Sequence, residues 1–183
     1  MNHIGTQYIE TERLILRRFE PSDAPAMFDN WASDGEVTKY LTWPTHADVS
    51  VTEGILSEWV PQYEDPAFYN WAIVLKENGP QPVGNISVVR WEQEGRVPIV
   101  GYCLGRHWWH QGIMSEALGA VISFLFGQVG VGRIGTYHDT NNPHSGGVMR
   151  KCGMAFQGVR EKSDRNNQGV CDAAHYSIER EDR

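Results

Sequence analysis

The sequence has few cysteines, no long apolar run and no excess of basic residues, and each shortage excludes a class of protein. Its three cysteines stand far apart and form no C-x-x-C pair, which predicts free thiols in a reducing cytosol. The longest apolar run, AVISFLF, is far shorter than the roughly 20 residues that span a bilayer. No basic segment followed by an apolar run opens the sequence, so we expect no signal peptide. These features predict a soluble cytoplasmic protein without a membrane partner.

The charge balance limits the partners. Lys and Arg number 16 against 23 Asp and Glu, which gives a formal net charge of −7. Phosphate recognition in nucleic acids depends on Lys and Arg, so we expect no nucleic-acid partner. An acidic surface instead attracts cations such as a protonated amine. The length of 183 residues suits one domain, and no repeat, linker or low-complexity tract divides residues 1–183.

Apolar spacing predicts an α+β domain. Three strand-like runs, FYNWAIVL (68–75), VGNISVVRW (83–91) and VPIVGYCLG (97–105), follow one another across turns, as in an antiparallel meander. Leu118, Val121, Ile122 and Leu125 have helical spacing and mark an amphipathic helix. The other predicted elements are a strand in 14–19, a helix in 21–31, a helix that ends near Pro61, a strand in 133–138, a helix in 145–153 and a closing strand in 169–179.

The loop RHWWHQGIM (106–114) joins the last meander strand to the amphipathic helix. The first N–H groups of a helix have no intrahelical partner and, with the helix dipole, they bind anions. If the helix begins near Ser115, residues 111–115 present these groups, and Gly112 lets a phosphate approach the backbone. A glycine before a helix is otherwise an ordinary turn. The loop contains neither G-x-x-x-x-G-K-[ST] nor G-x-G-x-x-G, so it is not a nucleoside-triphosphate or dinucleotide loop.

The order of the elements, with DTNNPHSGGVMRKCGM (139–154) after the strand RIGTYH, resembles the Gcn5-related N-acetyltransferase (GNAT) superfamily. The resemblance is closest to its RimJ/RimL-like branch, covers nearly the whole chain and is densest between Ile99 and Met154. It implies the GNAT fold, an α+β fold with a central mixed, mostly antiparallel sheet flanked by helices. In that fold a splayed strand pair binds acetyl-coenzyme A (acetyl-CoA).

The resemblance also implies where the cofactor binds. The family loop pattern Q/R-x-x-G-x-G/A cradles the pyrophosphate of acetyl-CoA and falls here on residues 109–114. Trp109 and Met114 depart from that pattern, but a cradle of backbone donors tolerates such changes. The strand before the loop is similar to the one that pairs its backbone with the pantetheine arm, and an asparagine of the family contacts the same arm. The cofactor-binding residues implied are Tyr102, Cys103, Leu104, His110, Gln111, Gly112, Ile113, Met114, Ser115 and Asn142.

Ser145 is the candidate catalytic residue, because it matches the serine that this branch places near the thioester sulfur. Three other positions depart from the wider superfamily. Met149 stands where a tyrosine often protonates the departing thiolate, so that proton would come from Ser145 or from water. Ile99 stands where a glutamate is often the general base. Gly147 stands where Arg or Lys often contacts a phosphate.

The acceptor site is implied near the segment GEVTKYLTWP (35–44), which this branch places between its first two helices. Tyr40, Trp43 and Trp91 flank loops there and are candidate acceptor-binding residues, although most aromatic residues are core residues. Asp172 matches a position that is often acidic in this branch, and is otherwise a salt-bridged carboxylate on an edge strand.

Three histidines and an aspartate are further candidates for chemistry. His107 and His110, spaced i, i+3, would need a third ligand to hold a metal. No carboxylate or cysteine stands within three residues of either histidine, so we expect no metal. His138 and Asp139 end a strand beside the expected cleft and are the nearest proton acceptors, although a histidine at a strand end is more often a surface residue.

The resemblance implies an acetyl-CoA-dependent N-acetyltransferase that acts on a primary amine, with a protein N-terminal α-amino group as one acceptor. Two alternatives stay open. One is acetylation of a small-molecule amine such as an antibiotic, a polyamine or an amino acid. The other is a catalytically idle sensor that binds coenzyme A (CoA), which the missing Glu and Tyr would fit. Exposed sheet edges in this family also leave a homodimer open.

Overall fold

Eight strands form one sheet in the computed structural model, which describes residues 1–180. Every neighbouring pair is antiparallel except β5 and β6, which run parallel, and the order is β1-β2-β3-β4-β5-β6-β8-β7. The predicted meander, β3-β4-β5, is confirmed. The strands are β1 (Ile9–Glu10), β2 (Leu14–Arg17), β3 (Asn70–Leu75), β4 (Pro82–Glu92), β5 (Val97–Leu104), β6 (Arg133–Asp139), β7 (Ala155–Asn166) and β8 (Gly169–Glu179).

Five α-helices flank this sheet within the same residues. Two π-helical turns, Phe28–Ala32 and Leu125–Val129, extend the first and fourth of them. The helices are α1 (Ala24–Met27), α2 (Gly35–Thr38), α3 (Val49–Gln62), α4 (Ile113–Phe124) and α5 (Pro143–Lys151).

Two apolar cores hold the helices to the sheet. Leu118, Val121 and Leu125 are fully buried in one core, as the helical spacing predicts. Phe19 and Leu56 lie in the other core, between the sheet and the first three helices. All six residues of β3 are buried, which explains why its sequence is a short continuous apolar run.

The parallel strands β5 and β6 separate soon after they meet. A single register pair, Ile99 with Gly135, joins them in the part of the chain that the structure describes. The Thr136 hydroxyl then donates to the Val100 carbonyl at 2.8 Å, and beyond this point the strands diverge. The expected GNAT fold, with its mixed sheet and splayed strand pair, is therefore confirmed.

Several elements differ from the sequence prediction, which lacks the short β1 and α2 and the long β7. Strand β7 is not among the predicted elements, because it is a largely exposed and polar edge strand. Register shifts between Phe156 and Gly158 and between Arg160 and Asp164 also break its alternation. Helix α4 begins two residues earlier than expected, because the left-handed Gly112 (φ 76°) ends the loop there.

Candidate active site

A cleft of about 1090 Å³ opens where β5 and β6 diverge. Nine of the ten predicted cofactor residues line it, and Gln111 lines a smaller hollow next to it. Ser145 lines the cleft as well, and so do Tyr40 and Trp43 from the segment before α3. The structure therefore brings together residues from three distant parts of the chain.

The loop before α4 presents free backbone donors. Gly112 is the N-cap, and the first intrahelical bond runs from the Glu116 N–H to the Gly112 carbonyl at 3.1 Å. The N–H groups of residues 113–115 consequently have no intrahelical partner. Their position at the positive end of a 12-residue helix makes the loop a site for an anion.

Two cations from distant parts of the chain flank this loop. A Cβ atom at Gly112 would lie 3.4 Å from Arg13 Nη2 and 3.5 Å from Lys151 Nζ. Arg13 is anchored there, because its Nη1 donates to the Gln111 carbonyl at 2.9 Å and its Nε donates to Glu116 at 2.7 Å. Free N–H groups and two cations together suit a pyrophosphate. The sequence interpretation missed both cations, since Arg13 lies 98 residues from Gln111.

The edge of β5 that faces the cleft is free to pair with another extended chain. Tyr102, Cys103 and Leu104 pair with β4 on one side, and no described strand pairs with them on the other. An extended ligand can bind such an edge as an added strand. Burial raises the pKa of the Cys103 thiol to about 12, so the thiol stays protonated and is a poor nucleophile.

Ser145 is held at the start of α5 by two side chains. The Asn142 amide donates to Ser145 Oγ at 3.1 Å, and the Tyr102 hydroxyl donates to the Ser145 carbonyl at 3.0 Å. Burial raises the pKa of Tyr102, so its phenol remains a proton donor. Because Oγ already accepts a bond from Asn142, the Ser145 hydroxyl can donate its own proton toward the cleft. Met149 supplies no such proton.

Two of the proton acceptors that line the cleft, His138 and Asp139, are held by hydrogen bonds. The Asp139 carboxylate accepts from the Asn141 N–H at 2.8 Å and from the Asn166 amide at 2.7 Å. Burial opposes ionisation of Asp139, but these bonds outweigh it and hold its pKa below the usual value. The His138 Nδ1 donates to the Asp139 carbonyl at 2.7 Å, and its Nε2 is buried without a partner. Ile99 is apolar and buried, so the position where a glutamate is often the general base carries no proton acceptor.

Trp91 and Asp172 do not reach the cleft, contrary to the expectation that they bind the acceptor. The Trp91 ring packs edge-on against His3, with ring centres 4.7 Å apart, on the apolar core. The Asp172 carboxylate accepts from the Lys162 N–H at 2.8 Å, within the β7–β8 hairpin. The sequence could place both residues on strands but could not say which side of the sheet they face.

The two histidines of the loop contact other rings. The His110 ring lies 5.0 Å from that of His144, and the His107 ring lies 5.2 Å from that of Trp108. Within residues 1–180, no group of three or more His, Cys, Asp or Glu side chains could hold a metal ion. No helix in that range has the length and apolar character needed to cross a membrane.

Comparison with known proteins gives one family and a consistent fold. The family model described as "Acetyltransferase (GNAT) domain" matches residues 13–155. YoaA of Bacillus subtilis (strain 168), an uncharacterized N-acetyltransferase, is 28% identical over 170 residues, which cover 93% of this chain and 95% of YoaA. RimL, a ribosomal L7/L12 alpha-N-protein acetyltransferase in complex with CoA, superposes with a TM-score of 0.82 at 19% identity (94% of this chain, 98% of RimL). The microcin C7 self-immunity acetyltransferase MccE, in complex with acetyl-CoA and AMP, superposes with a TM-score of 0.80 at 18% identity (92% of this chain, 93% of MccE).

Proposed function

The chain belongs to the GNAT family of acetyltransferases, and from that premise we propose which amines it acetylates. The acceptor is a primary amine of low pKa, with a protein N-terminal α-amino group as the first candidate. The observation that carries this proposal is a cleft lined by donors that suit acetyl-CoA, in which an apolar residue stands at the position of the usual general base. Ile99 occupies the position of the usual glutamate and is only 6% exposed.

Acetyl-CoA fits the donors that line the cleft. Its pyrophosphate would lie on the N–H groups that follow Gly112, between Arg13 and Lys151, where a side chain at position 112 would stand in the way. Its pantetheine arm would pair with the free edge of β5 and approach Asn142. Its thioester would then reach Ser145, at the start of α5.

The residues at that end of the cleft suit acyl transfer to an amine. Free N–H groups on β5 would polarise the thioester carbonyl, as in an oxyanion site. The amine nitrogen attacks the carbonyl carbon, so a C–N bond forms and the C–S bond breaks. The Ser145 hydroxyl would give its proton to the departing thiolate and take one back from solvent, to which the surplus proton of the amine passes.

The missing base favours amines that are already neutral. An α-amino group, with a pKa of roughly 7.7–8.0, is neutral in about a tenth of molecules at pH 7. A lysine amine, with a pKa of about 10.4, is neutral in fewer than one in a thousand. A site that removes water from the ammonium would lower its pKa further without a base. We therefore expect kcat/KM to rise with pH to a plateau whose apparent pKa follows the amine supplied.

Two peptides of matched sequence test this proposal. One has a free N-terminus and no lysine, and the other has a blocked N-terminus and one lysine. Acetylated product is measured by mass spectrometry from about pH 6 to pH 10, a range that spans both amine pKa values. We expect the free N-terminus to be preferred at least tenfold near pH 7. A better lysine substrate, or a pKa that does not change with the amine, would reveal a base, and His138→Gln and Asp139→Asn would be the variants to measure next.

A panel of small amines separates the alternatives. Turnover with a polyamine, an amino acid or an aminoglycoside, but with neither peptide, would make the chain a small-molecule acetyltransferase. Binding of CoA, measured by calorimetry, without turnover of any amine would make it a sensor. Intact-mass analysis of ribosomal proteins incubated with enzyme and acetyl-CoA tests the N-terminal acceptors directly.

A further inference from the structure

The hairpin tip between β7 and β8, residues 166–169, contacts two separate parts of the candidate active site. It belongs to a strand pair that the cofactor contacts described above do not use. Two consecutive asparagines, Asn166 and Asn167, make the contacts, and each side chain reaches in a different direction.

Asn167 holds the segment of residues 38–43, here called the acceptor loop. Its side-chain amide donates to the Thr38 carbonyl at 2.8 Å and to the Trp43 carbonyl at 2.7 Å. Its backbone N–H donates to the Leu41 carbonyl at 3.1 Å. One residue therefore joins both ends and the middle of the loop whose Tyr40 and Trp43 side chains line the cleft.

Asn166 contacts the other part of the candidate site, the segment that contains Asp139, Asn142 and Ser145. Asn166 is 8% exposed, and its amide donates to the Asp139 carboxylate at 2.7 Å. The Asp139 carbonyl accepts from the Asn142 N–H at 2.7 Å, and the Asn142 side chain donates to Ser145 Oγ at 3.1 Å. A continuous series of hydrogen bonds thus runs from the hairpin tip to the serine at the thioester end of the cleft.

We propose that Asn166 and Asn167 are positioning residues that set the distance between the acceptor loop and Ser145 and so determine which amines are acetylated. This inference rests on the proposed function, since it assigns the acceptor end of that site. Transfer to an amine requires the nitrogen within about 3–3.5 Å of the carbonyl carbon, and small displacements of the binding wall slow the reaction steeply. A loop held from both ends favours a slender amine, and a loosened loop admits a bulkier one.

The variant Asn167→Asp tests the side-chain contacts with almost no change of size. An asparagine amide has two N–H donors and an ionised aspartate has none, so the change sets a carboxylate against the Thr38 and Trp43 carbonyl oxygens. Gln168→Glu is the matched control. It makes the same amide-to-carboxylate change one residue later, where the side chain forms no hydrogen bond within residues 1–180 and only the backbone N–H bonds to Asn166.

Three measurements are made on wild type, Asn167→Asp and Gln168→Glu. Hydrogen exchange followed by mass spectrometry reports the acceptor loop, calorimetry reports the Kd for CoA, and steady-state kinetics reports the KM and kcat for peptides that begin with glycine or with valine. In Asn167→Asp we expect the rate of hydrogen exchange in residues 38–43 to rise about tenfold, as the loss of two hydrogen bonds implies. We expect the KM for the glycine peptide to rise by about the same factor. The preference for glycine over valine should fall, while the Kd for CoA stays within about twofold and Gln168→Glu behaves like wild type.

Either of two results would overturn the proposal. One is that Asn167→Asp matches the control in three quantities: hydrogen exchange in residues 38–43, the acceptor KM and the preference for glycine over valine. The other is an equal loss of CoA affinity, which would make the tip a general support of the fold. Asn167→Ala, which removes the donors without adding charge, should repeat the pattern at smaller amplitude if Asn167→Asp does not fold. If wild type acetylates no peptide, the proposed acceptor is wrong. The hydrogen-exchange measurement still decides whether Asn167 holds the acceptor loop. The kinetic measurement is then made with the small amine that the enzyme acetylates.

Discussion

Replacing Gly112 by glutamate should remove most of the affinity for CoA without unfolding the protein. The new side chain would start from a Cβ atom 3.4 Å from Arg13 Nη2 and 3.5 Å from Lys151 Nζ. Its carboxylate would compete with the pyrophosphate for both cations and for the N–H groups at the start of α4. The loss therefore has an electrostatic part and a steric part.

The magnitude follows from the geometry of the loop. Gly112 has φ 76°, so any L-residue there lowers the free energy of unfolding by about 1–2 kcal/mol. That strain is present with and without ligand, so it affects stability more than affinity. Two like charges 4 Å apart repel by about 4 kcal/mol near a protein surface. Solvent screening at the half-exposed loop reduces this to the order of 1 kcal/mol, and about 1.4 kcal/mol corresponds to a tenfold loss of affinity.

Calorimetric titration of CoA into three variants separates the contributions. Gly112→Glu should bind at least about tenfold more weakly than wild type, and Gly112→Ala, which has the strain but no charge, should lose less. Gly119→Glu is the matched control, because it adds the same charge about 10 Å further along α4, where a Cβ atom meets nothing within 4 Å. Wild-type affinity in a folded Gly112→Glu variant would refute the reasoning, since the pyrophosphate could not then lie on this loop.

Further predictions concern the start of α5. Ser145→Ala should lower kcat by roughly a hundredfold with little change in the KM for acetyl-CoA, because a proton donor acts in the transition state; an unchanged kcat would assign the proton to water. Asn142→Ala should instead raise that KM about fivefold, the effect of one lost hydrogen bond, and an unchanged KM would argue against a contact with the pantetheine arm. Gly146→Ala should destabilise the protein by about 1–3 kcal/mol, because its Cβ would lie 2.6 Å from His138 Nε2. Gly147→Ala, whose Cβ meets nothing within 4 Å, should have a melting temperature equal to or higher than that of wild type. An equal fall in melting temperature in the two variants would contradict the packing explanation.

Much of the fold could be predicted because burial leaves a local pattern. Helix α4 and the meander β3-β4-β5 bury one or both faces, so apolar residues repeat along their sequences with the period of the element. Strand β7 has no such pattern, since within residues 1–180 it pairs with β8 alone, at an exposed edge of the sheet. Such a strand depends on pairing with its neighbour, and its own sequence has no alternation from which it could be predicted.

The candidate site likewise has a part that could be predicted from the sequence and a part that could not. The Gly112 loop and the segment with Asn142 and Ser145 are each contiguous, so their order along the chain indicated acetyl-CoA binding before any geometry was known. Trp91 and Asp172 were predicted at the cleft and lie elsewhere, because the side of the sheet that a strand residue faces depends on its register with its neighbours.

The sequence by itself determined the elements with a buried face, the family and the candidate loop for the cofactor, since each depends on residues close together in the chain. The tertiary structure alone decided which side chains complete the site. Arg13 meets Gln111 across 98 residues, and Asn167 meets Thr38 across 129. A hydrogen bond across such a separation imposes no periodicity on either segment, because it forms only after the sheet has brought the two segments within 3 Å of each other.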